Sequence, residues 1–306
     1  MAVILVTGGR GFIGTNLTQE LRSRGNEVWT CDLLQGEDPQ YLKADTGVYQ
    51  QMDALFKQHR FDYVYHLAAE YGRWNGEDHY ENLWRTNVIG TKNVLRLQEQ
   101  HRFRMIFFSS AEVYGDYDDL MAEDVMERIP IKQMNDYAIS KWAGELQCLN
   151  HAAMFGTETV RVRPVGCYGP HEYYSPYRGV IPIFVYSALT GKNFTVYRGH
   201  KRIFDYVEDT CRTFANISEN FIPGEVYNVG GREEWVVSIE ELADIVLEAT
   251  GASPRLAEYK GEEGFTTRVK IVDFSKARRD LKHDPGVDIR EGVRRYVAWA
   301  RKVYDL

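Results

Sequence analysis

The stretch Thr7-Gly-Gly-Arg-Gly-Phe-Ile-Gly14 decides the fold. Before it runs Ala2-Val-Ile-Leu-Val6, a continuous apolar segment of the kind that forms a strand buried on both faces. After it, apolar residues recur at Phe12, Ile13, Leu17 and Leu21, the spacing of a helix that Gly25 would end. Val28 to Cys31 reads as a second strand, closing on Asp32. Strand, glycine turn, helix, strand and strand-end acid together form the dinucleotide-binding pattern. Glycines at 8, 11 and 14 let a pyrophosphate approach the backbone N–H groups at the helix N-terminus, where the helix dipole favours an anion. A carboxylate at Asp32 would accept from the ribose hydroxyls and repel a 2′-phosphate, so the cofactor expected is NAD rather than NADP. Arg10 pulls mildly the other way, as a cation in the loop able to meet such a phosphate. Asp45 reads equally as a cap on the adenine edge or as a solvated turn acid.

Outward from this motif the alternation continues. Phe61 to Leu67, Arg104 to Phe108 and Thr159 to Val165 read as strands, with helical stretches at Asn87 to Gln100 and Tyr137 to Phe155 between them. Such a rhythm implies an α/β fold, a Rossmann doubly wound parallel sheet with right-handed crossovers. Past Tyr168 the texture loosens: His171 to Gly179 is aromatic and irregular, Asp205 to Asp209 is expected to open a helix, Val226 to Val229 forms a short strand, and Ser238 to Thr250 a helix. The domain reading is therefore residues 1–166 for the cofactor, with part of 203–232 returning to it, and a smaller interleaved C-terminal substrate-binding lobe from 167–202 and 233–306.

Composition excludes several classes of function. The formal net charge of −7 over 306 residues, with no basic stripe, argues against a nucleic-acid partner. Cys31, Cys148, Cys167 and Cys211 are scattered without a CxxC pair, so neither a disulfide framework nor a metal site is expected, and a reducing, cytoplasmic location is. The apolar run at the N-terminus is too short for a signal peptide or a membrane span.

Tyr137 and Lys141 lie four apart in a helical stretch and so share a face. An ammonium there is expected to favour phenolate and draw the tyrosine pKa down toward working pH. Ser110 follows the strand ending at Phe108 and would hold a substrate oxygen as its proton leaves. His66 reads as a packed, satisfied histidine. Tyr71, Trp74 and Trp84 could roof a sugar, but aromatic residues after a strand read more readily as core.

These blocks carry a resemblance. TGGRGFIG at 7–14, HLAA at 66–69, TNVIGT at 86–91, SSAEVYG at 109–115, YAISK at 137–141, RPVGCYGP at 163–170, YVED at 206–209 and DFSKA at 273–277 occur in that order. The chain resembles the extended short-chain dehydrogenase/reductases that modify nucleotide sugars: dehydratases, epimerases and decarboxylases. The resemblance implies cofactor contacts at Gly8, Gly11, Phe12, Ile13, Gly14, Asp32, Asp45, Leu67, Ala68, Ala69, Asn87, Tyr137 and Lys141. It also implies a cycle in which Tyr137, with Ser110 and Lys141, removes the proton of the sugar 4-hydroxyl while NAD takes the hydride, leaving a ketone that acidifies C5–H.

Glu112 turns this toward one reaction. It stands where the sugar 4,6-dehydratases and related decarboxylases carry a glutamate, whereas the plain 4-epimerases usually have a neutral residue. A carboxylate there can take the C5 proton before water is lost across C5–C6. The expectation is a 4,6-dehydratase; the alternatives are a 4- or 5-epimerase, a decarboxylase of a uronic acid nucleotide sugar and, from another class, a non-catalytic NAD-binding regulator, against which an intact Ser110, Tyr137 and Lys141 count. Two positions depart from the family. Ala111 replaces the aspartate that serves the thymidine-diphosphoglucose dehydratases as acid for the leaving hydroxyl, although the guanosine-diphosphomannose dehydratases also lack it. Gly166 replaces an asparagine that donates to the diphosphate. Arg202 stands where relatives hold the substrate diphosphate, with Arg178 and Arg268 as further candidates. Outward apolar residues on the helices at 87–100 and 137–155, read as Leu95, Ile139 and Trp142, would pair two copies through a four-helix bundle, though core packing explains them equally well.

Overall fold

The structure is a computed structural model that describes all 306 residues. The apolar runs become seven strands: β1 (Val3–Thr7), β2 (Glu27–Asp32), β3 (Tyr41–Lys43), β4 (Tyr63–His66), β5 (Arg104–Phe108), β6 (Thr159–Pro164) and β7 (Val226–Val229). They pair side by side in the order β7-β6-β5-β4-β1-β2-β3, every neighbouring pair parallel. Ile4 sits in register with Val28 on one side and Tyr63 on the other. From β1 the chain builds outward to β3, then returns to lay β4 on the opposite side. That reversal opens a crevice beyond the carboxyl ends of β1 and β4, where ligands bind in folds of this kind.

Successive side chains of a strand point to opposite faces, so each strand feeds two cores. Ile4 and Val6 pack with Leu17 and Leu21 of the helix Phe12–Ser23 and with Phe214 of the helix Val207–Glu219. Leu5, Val64, Met105 and Phe107 pack on the other face with Met52, Phe56, Val94 and Leu97. Leu95 belongs to this second core and is fully buried, so it cannot serve the outward face expected of it.

A third core defines the second lobe. Ile181 and Phe184 from the helix Val180–Leu189, Leu242 and Val246 from Ile239–Thr250, and Val293 and Tyr296 from Ile289–Tyr304 pack together. The helix Ile239–Thr250 starts on a capping box of Ser238 and Glu241 and stops at Gly251, whose φ of 71° ends it. Two local expectations change. Asp205–Tyr206 is a short strand paired with Cys167–Tyr168, and the helix begins only at Val207. Phe274, Ala277 and Leu281 pack in the core shared by β1 and β7, so the lobe boundary at 233–306 is crossed by a segment that returns to the sheet. No helix is long and apolar enough to cross a membrane.

Candidate active site

The carboxyl ends of the strands open into one cleft of about 1020 Å³ that runs from the glycine turn to the second lobe. At its first end, Gly8 (φ 69°) turns the chain, its N–H donating to the Cys31 carbonyl at 2.9 Å. A Cβ on Gly14 would come within 2.2 Å of the Gly8 oxygen, so only glycine lets the helix start this close to the turn. The helix N-cap is Gly11, which offers no side-chain cap, and the first-turn N–H groups stay available to an anion. Asp32 accepts from the N–H of Arg10 at 3.0 Å and of Leu33 at 2.7 Å, which fixes its carboxylate at the cleft rim. Arg10 is turned aside: its guanidinium donates to the Gln35 carbonyl and lies 6.0 Å from the Tyr41 ring centre. This cradle fits a dinucleotide with an unphosphorylated ribose.

Phe12, Ile13, Asp45, Leu67, Ala68 and Ala69 line the same end. Asp45 also closes its own turn, accepting from Gly47 N–H at 2.8 Å and pairing with Arg85 at 2.9 Å, so the cleft acid and the turn acid are one residue. Asn87 does not reach the cleft. Its amide clamps the backbone of Glu70, with bonds of 2.8 and 3.0 Å, and so holds the wall formed by 67–70. His66 is satisfied between Thr7 (2.8 Å) and Thr91 (3.1 Å), and burial pushes its pKa down to about 3.

Farther along, Ser110, Glu112, Tyr137 and Lys141 meet in the cleft. Ser110 caps the turn Ala111–Tyr114, its hydroxyl accepting from the Glu112 N–H at 3.2 Å. A buried ionic network anchors that turn. Glu145 accepts from Ser109 at 2.5 Å and from Arg163 at 2.8 Å, and Tyr114 bridges Arg163 and Asn228. Lys141 donates to the Phe108 carbonyl at 2.8 Å and lies 5.9 Å from the Tyr137 ring centre. The expected lowering of the tyrosine does not follow. Burial pushes the Tyr137 phenol well above its ordinary value, the Ser110 hydroxyl opposing only in part, and burial pushes Lys141 down to about 7. Both groups are desolvated, and desolvation disfavours the charged form of each. Tyr71 stands edge-on to Tyr137 at 5.5 Å and, with Trp74, lines the cleft; Trp84 instead bonds Asp136 at 3.4 Å.

The arginines separate. Arg202 lines the cleft but donates to the carbonyls of Lys201, Thr267 and Arg268 at 2.8, 2.8 and 2.9 Å, which locks its fork in place. Arg178 lines the cleft over the Tyr71 ring at 5.5 Å. Arg268 does not line it: it is solvent-exposed and pairs with Glu262 at 2.6 Å. Gly166 has φ 57°, and a Cβ on it would lie 2.1 Å from the Ile203 oxygen, so an asparagine here requires the neighbouring backbone to move. Ala111 is buried among Val113, Val165, Ile203 and Val272.

Three cleft residues escaped sequence reasoning: Lys270, Arg73 and Glu172. Lys270 forms a close ion pair with Glu112, and both it and Arg73 bear on that carboxylate. Burial alone would raise Glu112, but Lys270 first, then Arg73 and Arg202, outweigh it and hold the carboxyl below its usual range. The signal was a lysine inside the apolar run Val269-Lys-Ile-Val272, since such a lysine is buried only when paired. Glu172 is buried and its Oε2 has no partner, which pushes it up to about 8.

The NAD dependent epimerase/dehydratase family model matches residues 4–230. The chain is 30% identical to a UDP-N-acetyl-alpha-D-glucosaminuronate decarboxylase of Bacillus cytotoxicus, covering 98% of each chain. It is also 30% identical to a dTDP-glucose 4,6-dehydratase of Neisseria meningitidis, over 98% of this chain and 93% of that one. Among solved structures it is similar to a UDP-glucose 4-epimerase of Thermotoga maritima with UDP-glucose, at 27% identity, TM-score 0.89 and 99% coverage of both chains. Relatives with three different reactions match almost the whole length, and the family model covers most of the chain: the chain belongs to the NAD dependent epimerase/dehydratase family.

Proposed function

We propose that the chain is a nucleotide-sugar 4,6-dehydratase that oxidises its sugar at C4 and removes the C5 proton with Glu112. One observation carries this reading: a carboxylate, Glu112, shares the cleft with Ser110 and Tyr137 and emerges from the short turn that the serine caps. Bound NAD supplies the hydride acceptor and, oxidised, a positive charge that favours the phenolate. Ser110 orients the 4-hydroxyl, and Tyr137 takes its proton. Lys141, held by the Phe108 carbonyl, sets its amino group near the phenol. A C4 ketone acidifies C5–H, and Glu112 needs no prior deprotonation to accept that proton. Arg202 and Arg178 are the cleft cations for the diphosphate.

A uronic acid decarboxylase is the second reading, favoured by the gathering of Lys270, Arg73 and Arg202 about Glu112, which would suit a substrate carboxylate. It is the reaction named for the B. cytotoxicus relative. We also propose a homodimer. Ile139, Leu146 and Leu149 are exposed along the helix Asp136–Phe155, and Ile89 is exposed on the segment beside it. The four free cysteines fit the reducing compartment, the cytoplasm, that we assign to it.

The deciding experiment incubates the holoenzyme in D₂O with UDP-glucose, dTDP-glucose, GDP-mannose and UDP-glucuronic acid, followed by mass spectrometry. A dehydratase yields a product lighter by one water that carries deuterium at C5, and Glu112→Gln stalls it after C4 oxidation, seen as accumulated NADH absorbance. Carbon dioxide from UDP-glucuronic acid supports the second reading instead. A product isobaric with its substrate means an epimerase and overturns both.

A further inference from the structure

Dehydration needs an acid as well as a base. The hydroxyl at C6 is a poor leaving group unless protonated, and Ala111, which stands where some relatives carry an aspartate, is packed in an apolar cluster and cannot provide a proton. The turn that presents Glu112 offers no other acid: Ala111, Val113 and Tyr114 are all buried in that cluster. The group in contact with Glu112 comes from the second lobe.

We propose that Lys270 is the general acid of the elimination, protonating the departing C6 hydroxyl while its ion-pair partner Glu112 takes the C5 proton. Lys270 ends the short strand Val269–Lys270, in register with Arg202, and its side chain is 8% exposed. The Glu112 carboxylate is the only hydrogen-bond partner of its ammonium, which leaves two N–H groups for a substrate oxygen. Both residues line the cleft, so acid and base are supplied as a contacting pair. The electrostatics suit the task. Burial pushes Lys270 down to about 8, Arg202 and Arg73 push the same way, and Glu112 alone opposes them. An acid with a pKa near working pH gives up its proton readily while remaining charged often enough to act.

The step balances without an added reactant. The C5–H bond breaks to form O–H on Glu112, and its electron pair becomes the C5–C6 double bond. The C6–O bond breaks, and the oxygen takes a proton from Lys270 to leave as water. Glu112 ends neutral and is reset by giving up its proton, to C5 or to solvent, while Lys270 ends as an amine and is reset by taking a proton from solvent. The carboxylate charge that fixes Lys270 thus vanishes as the lysine is asked to release its proton, so each transfer eases the other.

This proposal rests on the dehydratase reading, and the test separates the two. Holoenzyme carrying Lys270→Met or Lys270→Arg is assayed in D₂O with whichever of UDP-glucose, dTDP-glucose or GDP-mannose the unmodified enzyme dehydrates. Lys270→Met is expected to slow water loss by ~10²–10⁴-fold in kcat, the usual worth of a general acid. Glu112 still removes and returns the C5 proton, so recovered substrate gains one deuterium at C5, which Glu112→Gln prevents. Lys270→Arg preserves the charge and the partner of Glu112, and with them the fold, yet a guanidinium cannot give up its proton, so dehydration stays slow. The unmodified enzyme loses rate as pH rises through about 8, and Lys270→Arg loses that limb. Dehydration by either variant within tenfold of the unmodified rate, or an effect confined to KM, overturns the role of Lys270 and leaves the dehydratase reading intact. No water loss from any of the three sugars by the unmodified enzyme overturns both.

Discussion

The two ends of the cleft are built in opposite ways. The cofactor end comes from backbone: Gly8, Gly11 and Gly14 in one turn, Asp32 at the end of the adjacent strand, and 67–69 at the end of the next. Its donors are N–H groups, and its acid is held by two backbone bonds. The end we assign to the sugar comes from side chains delivered by distant segments: Arg73, Glu112, Glu172, Arg178, Arg202 and Lys270. Backbone carbonyls fix Arg202, but other groups here rest on side chains, as in the pair of Glu112 with Lys270 and the contact of Arg178 with Tyr71. A cradle made of backbone tolerates drift in sequence while its glycines remain, whereas a site made of paired charges changes character with each substitution. Relatives at 30% identity that perform different reactions are the expected result.

If the two ends are separable, a change at their junction can remove chemistry without touching the cofactor. Tyr137→Phe gives the largest effect: kcat is expected to fall by ~10²–10⁴-fold, the contribution of a general acid/base group. NAD released on denaturation should match the unmodified protein mole for mole, because the phenol lies beyond the glycine turn. Retention of more than about a tenth of the rate would exclude Tyr137 as the proton acceptor. Loss of NAD with it would break the comparison itself.

Arg202→Ala tests the sugar end alone. Removing a charge-assisted contact is expected to weaken apparent substrate affinity by ~10–100-fold, or ~1.5–3 kcal/mol. NAD affinity, measured by titration, should not change. Normal substrate affinity would mean that Arg178 holds the diphosphate without it. A parallel fall in NAD affinity would show that the two ends are mechanically coupled.

The same division explains what could be read from the sequence. The sheet, its switch point and the glycine cradle follow from contiguous patterns, an apolar run, a turn and a periodic helix, whose physics is local. Ser110, Glu112, Tyr137 and Lys141 were legible because each sits at a fixed offset from a strand or within one helix. Lys270 was not, because nothing near residue 270 specifies that its strand lies against the turn bearing Glu112. Arg268, two residues away, reads from sequence as a further candidate for the diphosphate, but pairs with Glu262 outside the cleft. The spacing of Tyr137 to Lys141 is local, while the burial that pushes the phenol up comes from the whole fold.

Glu172 gives the smallest effect and probes how the sugar end stores charge. Asp32, at the other end, has a backbone donor on each oxygen, whereas Glu172 is buried with Oε2 unpartnered and only the Arg178 charge in its favour. Its folded value of about 8 lies above the ordinary 4.5. The folded state therefore binds this proton more tightly than the unfolded chain does. Its contribution to stability is fully present below about pH 4.5 and is lost as pH rises through about 8. Asp205, buried and also raised to about 8, acts in the same direction and remains in the variant, so the pH dependence flattens only in part. Glu172→Gln keeps the shape and removes the titration. Its Tm, relative to the unmodified protein, should be higher at pH 8.5 than at pH 5 by at least about 2 °C, the size expected if only ~1 kcal/mol of the linkage survives relaxation. Equal Tm differences at the two pH values would mean that Glu172 finds partners or water in solution, and that the sugar end is no more strained by its buried acid than the cofactor end is by Asp32.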